Sequence, residues 1–311
     1  MVQTLCYLLE TARPRQWLKN LSLFTGLVFT GWLFIPEKFW TVAWAVVLFS
    51  LITSAVYIFN DSIDASSDRK HPLKKKRPIA AGKLPLPLAL FAAVFMGTLG
   101  LGLAAKLSFF FFFLALGYLV LHFLYSLYLK KLAIIDILTI ASGFIIRVYA
   151  GAVVIDAHIN VWLLLCIVSF SLFLAIGKRR SERTLLLARR ADEARQVLTH
   201  YPETLLNIYT AMFANTTWLT YALFASLQPP IIPQGRLLSL MSVVPRAFVN
   251  QKLLMITVPV VIYGVMRYLQ LIYEKGKGES PEKILLSDKP LLITVLLWGI
   301  LVVGVIYGIG W

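Results

Sequence analysis

Long apolar runs alternate with short polar ones along most of this chain, and their lengths match a membrane rather than a soluble core. About 20 mainly apolar residues in a helix cross the hydrocarbon of a bilayer. Runs of that order cover Trp17–Phe34, Trp40–Phe59, Leu86–Ala105, Phe109–Leu129 and Leu132–Ile155, then Val161–Ile176, Leu205–Leu227, Leu253–Ile272 and Leu291–Ile309. The pattern predicts an all-α, polytopic membrane bundle of nine transmembrane helices. No polar linker is long enough to divide it, so residues 1–311 are expected to form a single domain.

Composition agrees with the pattern. Of 311 residues, 59% are hydrophobic and 14% charged, with mean hydropathy +0.77, whereas soluble domains carry roughly a quarter charged residues. The basic, proline-containing start leads into the first run with no short apolar core and cleavage site, so no removable signal peptide is expected. A net charge of +15 on a soluble protein would suggest nucleic acid; here it reads as basic residues gathered in cytoplasmic loops. With the N-terminus inside, only Lys38, Lys106, Arg236, Arg246 and Lys252 of the 30 Lys and Arg fall outside, and Arg147 lies within a span. That asymmetry predicts a cytoplasmic N-terminus and cytoplasmic basic loops; the chain is expected in the plasma membrane, binding no nucleic acid. Cys6 and Cys166 fit neither a disulfide framework nor a zinc site, and the four histidines (His71, His122, His158, His200) show no metal-binding spacing.

The longest polar segments are Asn60–Pro85, Lys178–Thr204 and Gln228–Lys252, and the first two fall on the inner side. At the inner end of the second span, Asn60, Asp64 and Asp68 recur every four residues, with Asp61 on the edge of the same helical face. Three carboxylates this close repel one another unless a cation intervenes. Hard oxygen ligands with an amide oxygen suit magnesium, which binds through one or two carboxylates plus substrate phosphate. The alternative is an acidic helix end neutralised by nearby lysines. The metal reading makes Asn60, Asp61, Asp64 and Asp68 the ligands, with Asp61, Asp64 and Asp68 the catalytic carboxylates.

Directly after stands Arg69-Lys70-His71-Pro72-Leu73-Lys74-Lys75-Lys76-Arg77-Pro78-Ile79-Ala80-Ala81-Gly82. Several of these cations read as ordinary positive-inside residues meeting lipid head groups. Two prolines and Gly82 also make the segment a candidate lid over a phosphorylated ligand. Arg77 is the preferred phosphate contact, because guanidinium binds phosphate bidentately.

Asn-Asp-x-x-Asp-x-x-x-Asp followed by His-Pro-x-Lys-x-x-Arg-Pro-Ile-Ala-x-Gly resembles the first motif of the UbiA superfamily of intramembrane prenyltransferases, most nearly its decaprenyl-phosphate phosphoribosyltransferase branch. Arg13-Pro14-Arg15-Gln16-Trp17-Leu18-Lys19-Asn20, Leu124-Tyr125-Ser126, Lys130 and Asp136 with Gly143 to Arg147 resemble further parts of that branch. The resemblance implies magnesium as cofactor. It also implies a substrate-binding set that takes in Lys19, Asn60, Lys74, Arg77, Tyr125, Lys130 and Arg147.

Most of the superfamily carries a second aspartate-rich motif near the inner end of the sixth helix. Here Gly177-Lys178-Arg179-Arg180-Ser181-Glu182 stands in its place. Arg189, Arg190 and Arg195 read as positive-inside residues, while Lys178, Arg179 and Glu182 are as readily functional as structural. One acidic motif with one basic cluster suits a donor bearing a diphosphate at one end and a monophosphate at the other, such as phosphoribosyl pyrophosphate, and a polyprenyl phosphate acceptor. Within the fifth span, Asp136, Gly143, Arg147 and Gly151 share a face, with Arg147 roughly 16 Å along the axis from Asp136. Arg147 is expected either to face a ligand cavity or to make a structural contact with Asp136 or backbone, and the two glycines to allow close packing.

The expected reaction is transfer of a 5-phosphoribosyl group from phosphoribosyl pyrophosphate to a polyprenyl phosphate. Asp61, Asp64 and Asp68 with magnesium hold the leaving pyrophosphate; Lys19, Lys130 and Arg147 grip the acceptor, and Lys178 and Arg179 the 5-phosphate, or the reverse. Two alternatives stay open: an aromatic prenyltransferase using a prenyl diphosphate, and a transporter with a cation site. Prenyl length, pathway and assembly as a homo-oligomer are not fixed by sequence.

Overall fold

The computed structural model describes residues 2–70, 74–188, 201–228, 252–275 and 281–309. His71–Leu73, Arg189, Arg190, Arg195, His200 and most of the segment Gln228–Lys252 lie outside them. Among the described residues every regular element is helical: α1 Val2–Ala12, α2 Phe24–Phe29, α3 Pro36–Ile63, α4 Ala65–Lys70, α5 Leu86–Leu107, α6 Phe109–Leu127 and α7 Ile135–Val153. There follow α8 Val161–Ala188, α9 Glu203–Leu227, α10 Val258–Lys275, α11 Pro281–Ser287 and α12 Lys289–Val303, with 3-10 turns including Pro14–Leu23, Lys74–Lys76 and Leu129–Lys131.

Seven helical segments among the described residues are long and apolar enough to cross a membrane: Pro36–Ile63, Leu86–Leu107, Phe109–Leu127, Ile135–Val153, Val161–Thr184, Leu253–Glu274 and Lys289–Gly308. Two of the nine expected spans are not among them. The first, Trp17–Phe34, is a 3-10 stretch followed by the six-residue α2. Its polar side chains face protein: Trp17 donates to Ser54 at 3.0 Å and Asn20 to Ser50 at 2.9 Å. The seventh corresponds to α9, whose 25 residues are long enough. Asn207, Asn215, Thr216, Thr217 and Thr220 lower its apolar character.

The chain packs as two compact units, Met1–His158 with Ala191–Tyr201, and Ile159–Arg190 with Pro202–Trp311. In the first, α3 is the central helix, and prolines open it and α5 at positions where no intrahelical donor is required. The serines inside α3 return their hydroxyls to carbonyls one turn back, Ser50 to Val46 at 2.7 Å and Ser54 to Ser50 at 2.8 Å, which satisfies them away from water. Leu48, Phe49 and Ile52 of α3 pack with Phe111, Ala115 and Tyr118 of α6 and with Leu23, Leu27 and Ala150. Gly151 of α7 lets the two backbones touch: a Cβ there would overlap the carbonyl oxygen of Leu23. Gly143 lies against the His122 ring, where a Cβ would sit 3.0 Å from Cε1. Both glycines therefore serve the close packing expected of them.

The second unit has a core of Phe173, Ala214, Val265, Tyr268, Leu271, Ile272, Ile284 and Leu291. Asp288 caps α12 by accepting from Leu291 N at 3.0 Å and holds Arg267 of α10 in a two-point ion pair.

Candidate active site

The acidic segment stands where α3 ends. Asp64 closes the helix, yet the bonding pattern runs on, Asp64 N to Asn60 O at 2.9 Å and Asp68 N to Asp64 O at 2.8 Å. The four-residue spacing therefore does place Asn60, Asp64 and Asp68 in succession on one side, with α4 extending the helix by a turn and a half.

Each carboxylate already has a cation. Arg13 donates through Nη2 to both oxygens of Asp61, at 2.6 and 2.9 Å. Arg77 donates through Nη1 to Asp61 Oδ1 at 3.0 Å and to Asp68 Oδ2 at 2.6 Å. Lys130, from the loop after α6, is ion-paired with Asp64. Asp61 and Asp68 are almost fully buried, while the two arginines remain about a quarter exposed. Burial opposes the Arg13 charge, but Asp61, together with Tyr57 and Asp68, outweighs it and holds the guanidinium above its ordinary pKa. Arg13 takes a left-handed backbone, φ 54 and ψ 64, and lies over the Tyr57 ring at 5.2 Å.

The four expected metal ligands differ in their partners. Among the described residues no three His, Cys, Asp or Glu side chains converge as a metal site. Guanidinium groups pair with both oxygens of Asp61 and with Oδ2 of Asp68. Asn60 and Asp64 differ: the Asn60 amide nitrogen donates to Asp64 Oδ2 at 3.3 Å, and its carbonyl Oδ1 is buried with no hydrogen-bond donor. A buried amide oxygen without a donor, beside a carboxylate, is a donor set that suits a hard cation.

The basic segment after the acids is anchored. Ile79 and Leu84 are buried with Ala12, Ile58 and Ala65, and Gly82 closes a turn at φ 72, its N–H on Ile79 O at 3.1 Å. Of the segment Arg69–Gly82 expected as a lid, Ile79 and Ala80 are buried, so its end is anchored in the core. Lys74 stands half-buried at the head of its 3-10 turn, and Lys19 half-buried in the stretch after Arg13.

Deeper in the same unit, Arg147 is buried among neutral partners. It donates to Asn20 Oδ1 at 2.8 Å, Gly143 O at 2.9 Å and the Tyr118 hydroxyl at 2.7 Å, and lies over the Tyr118 ring at 4.8 Å. Of the contacts weighed for Arg147, the one with backbone is present and a pairing with Asp136 is not. Asp136 is fully buried and accepts instead from the Tyr201 hydroxyl at 2.6 Å. Tyr125 is half-buried, its ring 6.4 Å from that of His122.

In the second unit Arg179 is fully buried and paired with Glu182 at 2.5 Å. Arg180 donates to Asn207 at 2.9 Å and lies over the Tyr273 ring at 3.7 Å. Lys178 is half-buried.

Residues 21–287 match the model of the UbiA prenyltransferase family. The chain belongs to that family. It is 32% identical to the decaprenyl-phosphate phosphoribosyltransferase of Corynebacterium glutamicum over 96% of this chain and 86% of the relative. It is 37% identical to the protein of that name in Mycobacterium tuberculosis, over 70% and 72%. A UbiA homologue from Archaeoglobus fulgidus bound to DMAPP and Mg2+ shares the fold, with TM-score 0.69 at 18% identity over 96% of this chain and 98% of that one. The chain is thus a multi-pass membrane transferase of the UbiA family.

Arg13, Asn20, Tyr118, His122 and Tyr201 were not picked out as site residues by sequence. Arg13 lies 48 residues from Asp61, and Tyr201 lies 65 from Asp136. No local spacing links such pairs.

Proposed function

We propose that this family member transfers a 5-phosphoribosyl group from phosphoribosyl pyrophosphate to a polyprenyl phosphate, releasing pyrophosphate at the cytoplasmic face of a bacterial plasma membrane. The observation that carries the reading is the end of α3: an orphaned Asn60 oxygen beside Asp64, with Lys130 on Asp64 and Arg13 and Arg77 on the adjacent Asp61. That is a site for a metal-bound diphosphate. The relatives that match over most of the chain bear the phosphoribosyltransferase name, which favours a phosphorylated sugar over a prenyl group as the diphosphate's other half.

Magnesium would be held by Asp64 and Asn60 Oδ1, and when bound it neutralises charge on the departing pyrophosphate. Asp61 and Asp68 keep a separate task, fixing Arg13 and Arg77 so that their remaining N–H groups meet diphosphate oxygens. Lys130, paired with Asp64, supplies a further positive charge beside the position proposed for the diphosphate. As the bond from the anomeric carbon to the pyrophosphate oxygen breaks, a phosphate oxygen of the acceptor forms the new one. That oxygen is already anionic, so no general base is needed. Lys19 and Lys74 are the half-buried cations of this unit proposed to contact the acceptor or the 5-phosphate, with Tyr125 lining the site. In the basic cluster of the second unit, Lys178 is the proposed phosphate contact. Arg179 is ion-paired with the half-buried Glu182, and Arg147 ties Asn20 to α6 and α7.

Membranes containing the protein, given labelled phosphoribosyl pyrophosphate and polyprenyl phosphate, should form labelled lipid and lose that activity on chelation of magnesium. Product only from a prenyl diphosphate with hydroxybenzoate would replace this reading with aromatic prenyl transfer.

A further inference from the structure

Three non-glycine residues among the described ones have positive φ: Arg13, Ile134 and Asp156. Two of these serve the acidic motif. Arg13 itself reaches Asp61, and Ile134 ends the short loop that carries Lys130 to Asp64.

Ile134 is the stranger case. At φ 69 and ψ −50, with Ile135 N bonded to Ala133 O at 2.8 Å, it is the centre of a tight three-residue turn. This is the rare, strained form of that turn, and a β-branched side chain makes it costlier. Packing of the side chain does not repay the strain, since Ile134 is 50% exposed. A specific polar contact does hold it. The Ile134 N–H donates to the hydroxyl oxygen of Tyr201 at 2.5 Å, and the same hydroxyl donates to Asp136 Oδ1 at 2.6 Å. Tyr201 and Asp136 are both buried, at 1% and 0% exposure. The hydroxyl thus ties the strained residue at the centre of the turn to the first turn of α7. It does so from a position far along the chain.

Strain that persists because its surroundings over-determine it marks a functional segment. What this segment delivers is Lys130. From the tyrosine the path runs through Ile134 and back along the Leu129–Lys131 turn, where Leu132 N bonds Leu129 O at 3.1 Å and Asp136 N bonds Leu132 O at 3.1 Å. Ile134 is two residues from Leu132, whose backbone bonds reach both Leu129 and Asp136, so the strained residue and the lysine's turn belong to one short bonded segment.

We propose that Tyr201 is a positioning residue: its hydroxyl, shared between Ile134 N–H and Asp136, locks the strained turn that sets Lys130 against Asp64. The consequence for turnover rests on the reading of Asp64 as the metal and diphosphate carboxylate; the lock itself does not.

The test is lysine reactivity in membranes holding the full chain, read residue by residue by mass spectrometry after amine labelling. In the wild type Lys130 should label slowly, because its ammonium is paired. Tyr201→Phe, which removes one oxygen, should raise Lys130 labelling several-fold while leaving the neighbouring exposed Lys131 unchanged. Glycine adopts positive φ without strain, so adding Ile134→Gly to Tyr201→Phe should return Lys130 to slow labelling, and Ile134→Gly alone should match the wild type. A tyrosine that only filled space would not be rescued by a glycine on another element. Unchanged Lys130 labelling in Tyr201→Phe would overturn the proposal, as would a rise that Ile134→Gly does not reverse. Loss of folded Tyr201→Phe protein that Ile134→Gly fails to repair would count against it equally. Phosphoribosyl transfer by Tyr201→Phe should fall between about ten- and a hundredfold and recover in the double variant. If labelling follows this pattern while Asp64→Asn keeps full transfer, the lock stands and the assignment of Asp64 fails.

Discussion

The Arg13 guanidinium grips both carboxylate oxygens of Asp61, at 2.6 and 2.9 Å, across 48 residues of chain. Arg13 adopts a left-handed backbone to do so, and Asp61 is 3% exposed, so the pair is an element of construction and not a passing surface contact. Arg13→Ala should cost about 1.5–3 kcal/mol of stability, the range for a hydrogen bond to a charged group. Thermal unfolding in detergent reads this loss. Transfer should fall as well, since Asp61 then draws on Arg77 alone.

Asp64 and Asp61 should separate in their variants. Asp64→Asn keeps the fold and abolishes transfer at any ordinary magnesium concentration, since it removes the charged metal ligand. Asp61→Asn instead leaves two guanidiniums short of a carboxylate and lowers thermal stability first. Measuring magnesium dependence and unfolding side by side distinguishes them. Equal magnesium dependence in both variants would contradict the division of roles.

Arg77 bridges Asp61 and Asp68 from one nitrogen, leaving its other donors for a ligand. An ammonium carries the charge but not the planar fork. Arg77→Lys should therefore raise KM for the diphosphate donor about tenfold or more, with a smaller effect on stability than Arg77→Ala. A KM near the wild-type value would remove Arg77 from the diphosphate contacts.

Arg147 offers a contrast, because its three hydrogen bonds go to neutral groups on three different elements. Arg147→Lys retains a buried charge while losing the bond to Asn20 or Tyr118 or both. The expected result is a loss of about 2–4 kcal/mol in unfolding measurements, with KM for both substrates little changed in the protein that remains folded.

Gly151 and Gly117 form a matched pair. A Cβ at 151 would overlap the Leu23 carbonyl, and at 117 it would meet nothing within 4 Å. Gly151→Ala should destabilise by about 1–3 kcal/mol. Gly117→Ala should be neutral or stabilising by up to about 1 kcal/mol, through helix propensity alone.

What the sequence determined by itself was whatever depends on the order and spacing of residues along one segment. Apolar length gave the membrane class and most of the spans, and the four-residue rhythm of Asn60, Asp64 and Asp68 survives into the structure because the helical bonding continues through it. The 3-10 turn at Pro14–Leu23 was not legible, since its shape follows from bonds to Ser50, Ser54 and Arg147 on other helices. Nor was the neutralisation of the acids. Carboxylates crowded on a helix end require cations, but whether metal, lysine or arginine supplies them depends on which distant segments fold against that end. Only the tertiary structure brings Arg13, Arg77 and Lys130 there, and only it gives Asp136 to Tyr201 rather than to Arg147. Ionic and hydrogen-bond partners are chosen by proximity in space, and sequence spacing encodes that only within a helix turn or two.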